Sequence, residues 1–124
     1  MKKIFLSVGE ISGDNYASEL VKHLKEYEFL GITGPKMRAV GVKPIAKLEE
    51  ISVVGLTEAI GKYRKIKEVF KKSVETLKSG LDLLIVVDFP GFNIKLLKEA
   101  KKLGIKTVYF ISPQIWAWGS GRIK

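Results

Sequence analysis

The sequence predicts an α/β fold: a Rossmann-like parallel sheet with helices on both faces. Three observations lead to it. Leu83-Leu84-Ile85-Val86-Val87 is an unbroken apolar run rich in β-branched residues, the pattern of a central parallel strand buried on both faces. Short apolar runs of this kind alternate with helical stretches along the chain. The first of them, Lys3 to Val8, passes through a glycine-containing turn straight into a helix, which is how a Rossmann-like unit opens.

Taken in order, the strand Lys3–Val8 ends in Gly9-Glu10-Ile11-Ser12-Gly13-Asp14. A helix follows with Ala17, Leu20, Val21 and Leu24 on one face. This loop lacks the Gly-Lys-Ser/Thr ending of a phosphate-binding Walker loop. The second strand, Glu28–Thr33, ends without the acidic residue that a dinucleotide site requires, so NAD binding is disfavoured. Glu10 and Asp14 near a helix N-terminus suit the helix dipole but would repel a phosphate, and they fit sugar hydroxyls better. The plainer alternative is that Ser12 or Asp14 caps the helix and Glu10 is a turn residue.

Residues 34–41 read as a short helix between turns, Val42–Ala46 as a third strand, and Lys47–Ser52 as a connector. Val53–Ser79 is the longest helical tract, with Ile60, Tyr63, Ile66, Phe70, Val74 and Leu77 forming its apolar stripe. Just ahead of its lysines, among them Lys62 and Lys65, lies an apolar segment with Val53, Val54 and Leu56. Such a pairing suits a membrane-surface contact, and ordinary core packing is the alternative.

The buried strand 83–87 then delivers Asp88 and turns on Pro90-Gly91. Asn93 is placed to cap a helix whose Ile94, Leu97, Ala100 and Leu103 recur at helical spacing up to Gly104. Asp88 thus belongs at the carboxyl end of a buried strand, where open α/β sheets place their ligands. A last strand, Ile105–Ile111, leads to Trp116 and Trp118, which could stack on sugars, line an acyl pocket or plug the sheet edge. The alternation stops there without a covering helix, so residues 1–124 read as one incomplete domain.

Composition narrows the function. The chain of 124 residues is 46% hydrophobic and 28% charged, ordinary values for a soluble globular protein. It has no cysteine and a single histidine, His23, which argues against thiolate or imidazole metal sites and a Ser-His-Asp triad. No signal peptide or membrane-spanning run is visible, and a cytoplasmic location is the default expectation. The net charge of +9 is lopsided: residues 1–61 carry 8 basic and 8 acidic side chains, residues 62–124 carry 14 and 5. An anionic partner over the second half follows, or merely a solvated lysine-rich face. A receiver-type phospho-acceptor domain would want an acidic pair after the first strand and a lysine after the last, and neither is present. A nucleic-acid reader would show an aromatic-basic motif, and none is found, so no nucleic-acid partner is expected.

Five segments in order and at similar gaps resemble the lipid-A-disaccharide synthase family. They are residues 9–14 (GEISGD), 34–37 (GPKM), 54–58 (VGLTE), 88–93 (DFPGFN) and 112–118 (SPQIWAW). The resemblance implies the N-terminal, acceptor-side domain of an inverting GT-B glycosyltransferase, a hexosyltransferase whose C-terminal nucleotide-sugar domain lies outside this chain. It implies transfer from UDP-2,3-diacylglucosamine to 2,3-diacylglucosamine 1-phosphate, without metal or other cofactor, at the inner face of the Gram-negative inner membrane. On that resemblance Asp88 is the catalytic base. Glu10 and Asn93 would orient acceptor hydroxyls, Ser12, Gly13 and Asp14 would shape the loop, Trp116 and Trp118 would line the substrate site, and Arg122 would meet a phosphate. It also favours membrane contact through Val53, Val54, Leu56, Lys62 and Lys65. Where the family commonly carries a second acidic residue this chain has Gly91, leaving Asp88 as the main candidate. The chain alone is expected to be inactive, and its open sheet edge is compatible with a homo-oligomer.

Overall fold

The computed structural model describes residues 2–9, 11–48 and 59–110, without the side chains of residues 59–63 and of Pro90. The elements in chain order are β1 (Lys3–Val8), α1 (Ile11–His23), β2 (Glu28–Thr33), α2 (Pro35–Ala39) and β3 (Lys43–Lys47). Then come α3 (Ala59–Leu77), β4 (Leu83–Val87), α4 (Pro90–Lys102) and β5 (Lys106–Phe110). The five strands form one sheet in the order β3-β2-β1-β4-β5, and every pairing is parallel.

β1 lies at the centre of the sheet with β2 and β4 on either side, and the buried residues of β1 and β4 are apolar apart from Ser7. Phe5, Leu6, Val8, Leu84, Val86 and Val87 are all buried. The chain runs from β1 outward to β2 and β3, then back across the sheet to β4 and out to β5. α1 packs with α2, and α3 packs with α4, so the two helix pairs cover opposite faces. The strand order therefore reverses between β1 and β4, and that is the point at which a doubly wound sheet opens a crevice at its carboxyl edge. Val8 pairs with Val87, so Gly9 and Asp88 leave the sheet side by side.

The predicted strands are present, two of them shifted or trimmed by a residue at their ends. The stop of α4 also follows expectation. Gly104 takes a left-handed φ of 74°, its N–H donates to the Lys101 carbonyl, and the Ile105 N–H donates to that of Ala100 at 3.0 Å. Two expectations for α4 fail. The helix begins at Pro90, not after Asn93, and the chain reverses through Asp88 and Phe89. Proline suits the first helical position because its missing N–H has no partner to lose there. Asn93 therefore lies inside the helix and caps nothing. The buried face of α4 runs through Phe92, Leu96 and Ala100, whereas Ile94 and Leu103 are 41% and 44% exposed. Two overlapping apolar stripes were available to this helix, and the ring of Phe92, packed on Phe89 and Phe70, selects one.

On α3 the deepest positions are Val69, Ser73 and Leu77, with Ile66, Phe70 and Val74 half-buried beside them. Ser73 is tolerated in that core because its hydroxyl donates to the Val69 carbonyl at 2.7 Å. The part of the expected helix at residues 53–58 lies outside the described residues. Among the described residues no helix is long and apolar enough to cross a membrane.

Candidate active site at the carboxyl edge of the sheet

The switch point between β1 and β4 is built by three short segments: Gly9 after β1, the first turn of α1, and Asp88-Phe89 after β4. Asp88 is 3% exposed and takes a φ of 49°, and Phe89 follows with a φ of 48°. Two consecutive non-glycine residues in the left-handed region each cost on the order of 1–3 kcal/mol, and the phenylalanine is the less tolerant of the two. The surroundings hold them there. The Asp88 N–H donates to the Phe110 carbonyl at 3.0 Å, continuing the β4–β5 ladder one residue past the strand.

The Asp88 carbonyl accepts from the Asn93 side-chain amide at 2.9 Å. The same amide lies 3.2 Å from the Val87 carbonyl and 3.3 Å from that of Ser7, and its oxygen accepts the Ser7 hydroxyl proton at 2.6 Å. Asn93 and Ser7 are both fully buried. Asn93 thus ties the ends of β1 and β4 together beneath Asp88, and its side chain faces the scaffold. Asn93, expected to orient an acceptor hydroxyl, here positions the Asp88 backbone.

Phe89 closes the corner from above. Its ring stacks on Phe92 with centroids 5.8 Å apart and planes at 23°. A Cβ added at Gly9 would lie 2.3 Å from the Phe89 ring, so the absence of a side chain at Gly9 is what lets the two loops meet. On the opposite side Gly13 brings α1 close to the sheet, where an added Cβ would meet Val8 at 3.2 Å and Val87 at 3.4 Å.

Asp14 does not cap its own helix, which starts at Ile11. It is 1% exposed, and its carboxylate accepts the backbone N–H groups of Lys36 and Met37, each at 2.9 Å. These N–H groups belong to the second and third residues of α2, so Asp14 serves that helix across space as an N-cap side chain would in sequence. Gly34 leaves room for the carboxylate, since a Cβ there would sit 2.2 Å from the Asp14 Cγ. Asp14, expected to shape the loop of the substrate site, here ties α1 to the start of α2. Ser12 lies half-buried in the first turn of α1, beside the crevice.

The electrostatic reach of Asp88 extends to β5. Burial raises the Tyr109 phenol above its ordinary value of 10.0, and the Asp88 charge adds to the shift. Phe110 packs on Tyr16 of α1 with ring centroids 5.9 Å apart, closing the far wall.

Glu10, Trp116, Trp118 and Arg122 lie outside the described residues, as do Val53, Val54 and Leu56 and the side chain of Lys62. Lys65 is half-buried on α3, beside Ala46 and Val69. Ser7, Phe89 and Tyr109 were not singled out from sequence. A lone serine inside a buried apolar strand was the available signal for Ser7, because a buried hydroxyl needs a partner. Among the described residues no cluster of three His, Cys, Asp or Glu side chains could hold a metal.

An open, doubly wound parallel sheet with a buried carboxylate at its switch point defines the class: a Rossmann-like α/β scaffold. The fold alone is shared widely. The C-terminal domain of a hydrogenase from Pyrococcus furiosus superposes with a TM-score of 0.63 at 16% identity, covering 87% of this chain and 90% of that one. The sequence is more discriminating. Residues 4–124 match the family model described as lipid-A-disaccharide synthetase, and the chain belongs to that family.

The lipid-A-disaccharide synthase of Sulfurihydrogenibium sp. (strain YO3AOP1) is 86% identical over 124 residues, covering 100% of this chain and 32% of that protein. The Persephonella marina protein is 73% identical, with 99% of this chain and 32% of the relative covered. For the Aquifex aeolicus protein the figures are 48%, 95% and 33%. The chain thus spans about a third of the length of the curated relatives it matches.

Proposed function

We propose that this chain is the acceptor-side, N-terminal part of an inverting GT-B glycosyltransferase of lipid A biosynthesis. The reaction is transfer of 2,3-diacylglucosamine from its UDP derivative to 2,3-diacylglucosamine 1-phosphate, giving lipid A disaccharide 1-phosphate and UDP. One observation carries the reading: a carboxylate held in a strained, buried corner at the switch point of a sheet that belongs to this family. Asp88 is the general base. It takes the proton of the acceptor hydroxyl as the oxygen forms its bond to the anomeric carbon. The bond from that carbon to the UDP oxygen breaks, and UDP leaves with the electron pair.

Asn93 and Ser7 are positioning residues in this scheme, because they touch the Asp88 backbone and each other. Glu10 and Ser12 flank the acceptor, and Trp116, Trp118 and Arg122 complete its site. The UDP-sugar is held by the remainder of the enzyme, so the chain alone gives little or no turnover. Access to the acylated substrates is from the inner face of the inner membrane, which Val53, Val54, Leu56, Lys62 and Lys65 contact.

The test is a chimaera in which this chain replaces the matching third of the Sulfurihydrogenibium protein. UDP release dependent on the acceptor is expected. Asp88→Asn should lower it by roughly a hundredfold to ten-thousandfold while the fold is retained, the usual span for loss of a general base. A folded Asp88→Asn chimaera that turns over normally would remove Asp88 from the mechanism.

A further inference from the structure

β5 reaches the carboxyl edge of the sheet directly beside Asp88. Val86 pairs with Tyr109 and Val87 with Phe110, and the Asp88 N–H donates to the Phe110 carbonyl at 3.0 Å. Successive strand residues point to opposite faces of a sheet. Phe110 packs on Tyr16 of α1, so Tyr109 is turned to the other face, the one that carries α4 and its Asn93. Register and alternation thus set a tyrosine side chain next to the acidic corner.

The phenol is available there. Tyr109 is 37% exposed on an edge strand, and its hydroxyl has no hydrogen-bond partner among the described residues. Burial, and after it the Asp88 charge, keeps the phenol protonated. Near pH 7 the hydroxyl is therefore a neutral donor.

A neutral donor beside a carboxylate base is a selective combination. A lysine or arginine in its place would pair with Asp88 and weaken it as a base, because a nearby cation lowers the proton affinity of a carboxylate. A phenol donates a hydrogen bond without that penalty. One accepting and one donating group suit two neighbouring hydroxyls of a sugar ring. A phosphate at the same place would meet the Asp88 charge and be repelled.

We propose that Tyr109 is an acceptor-binding residue whose hydroxyl donates to the sugar hydroxyl next to the one that Asp88 deprotonates. This rests on the transferase reading above and adds to it a residue that selects the acceptor by its hydroxyl pattern.

The test uses the chimaera described above, with 2,3-diacylglucosamine 1-phosphate and an analogue lacking the hydroxyl beside the reacting one. Tyr109→Phe should lower kcat/KM for the full acceptor about three- to tenfold, the effect of one lost hydrogen bond between neutral groups. The drop should appear as a higher KM for the acceptor, with the KM for the UDP-sugar unchanged. With the analogue, the chimaera and its Tyr109→Phe variant should perform equally, because the partner hydroxyl is already gone. A merely structural tyrosine would lower turnover of both acceptors alike, and that result would overturn the proposal. Discrimination between the two acceptors that persists in Tyr109→Phe would overturn it as well.

The two readings fail separately. An active, Asp88-dependent chimaera in which Tyr109→Phe changes nothing condemns only the role of Tyr109. Should the chimaera be inactive, the isotope-labelled chain is titrated with methyl N-acetylglucosaminide, and with inorganic phosphate for comparison. Saturable movement of the Asp88 N–H and of the Tyr109 ring carbon bearing the hydroxyl is expected with the sugar and not with phosphate. In Tyr109→Phe the Asp88 N–H should follow a binding curve about three- to tenfold weaker. That outcome would keep Tyr109 as a sugar contact and condemn only the transfer reaction. No saturable movement, equal binding of phosphate, or unchanged affinity in Tyr109→Phe would overturn the proposal.

Discussion

Replacing Asn93 by alanine tests whether the site corner is held by side-chain hydrogen bonds or by backbone packing alone. The amide makes one bond of 2.6 Å with the Ser7 hydroxyl, one of 2.9 Å with the Asp88 carbonyl, and a weaker shared contact with the Ser7 and Val87 carbonyls. At about 1 kcal/mol net for each of three buried bonds, Asn93→Ala should cost about 3 kcal/mol. That is a large fraction of the 5–15 kcal/mol typical of a domain. Ser7→Ala removes only the shortest bond and leaves the Asn93 oxygen without its donor, for about 1–2 kcal/mol. Because both single variants break the same bond, the double variant should fall short of the sum by about 1 kcal/mol.

The assay is urea unfolding of the four proteins, with the Asp88 amide resonance followed in parallel. That resonance should move in Asn93→Ala far more than in a control at exposed Lys98. A loss below about 1 kcal/mol for Asn93→Ala, or strict additivity with Ser7→Ala, would refute the argument. Either result would mean that the left-handed turn at Asp88 stands without the clamp.

Three other outcomes follow from the same structure. Asp14→Ala leaves two α2 donors without their acceptor and should cost about 2 kcal/mol, the upper end for a lost cap, with exchange protection lost first at Lys36 and Met37; protection as in the parent would mean that α2 stands without Asp14. Gly91→Asp places a carboxylate in the first turn of α4, where an added Cβ meets nothing within 4 Å, and should raise stability by about 0.5–1 kcal/mol in thermal unfolding. Tyr109, followed by carbon NMR of its ring, should ionise above 10.0 in the folded chain. The unfolded chain then releases that proton first, so this contribution to stability is complete below pH 10.0 and is lost as pH rises through the folded value. Asp88→Asn should lower the Tyr109 midpoint without returning it to 10.0, since burial is the larger cause. An unmoved midpoint would show that the two groups do not interact.

The sequence by itself determined the fold class, the strands and the place of Asp88. A run such as Leu84–Val87 with no polar face can only be buried on both sides, and a carboxylate that ends it must lie at the edge of a parallel sheet. Local chemistry was enough as well for the stop at Gly104, whose left-handed turn needs no distant partner. The family was legible because five motifs recur in order, a matter of linear sequence.

What the tertiary structure decided are the pairings between residues far apart in the chain. Asn93 looked like an N-cap because its neighbours in sequence allow one, and only the arrival of Ser7 from 86 positions away turns it inward. Asp14 looked like a cap or a ligand of its own loop, and it caps a helix 22 positions on because the folded sheet sets α1 beside α2. The face that α4 buries and the space Gly9 leaves for Phe89 both depend on which surfaces meet. Helical and strand periods state that a face will be buried, but not against what, because that is settled by packing and not by propensity.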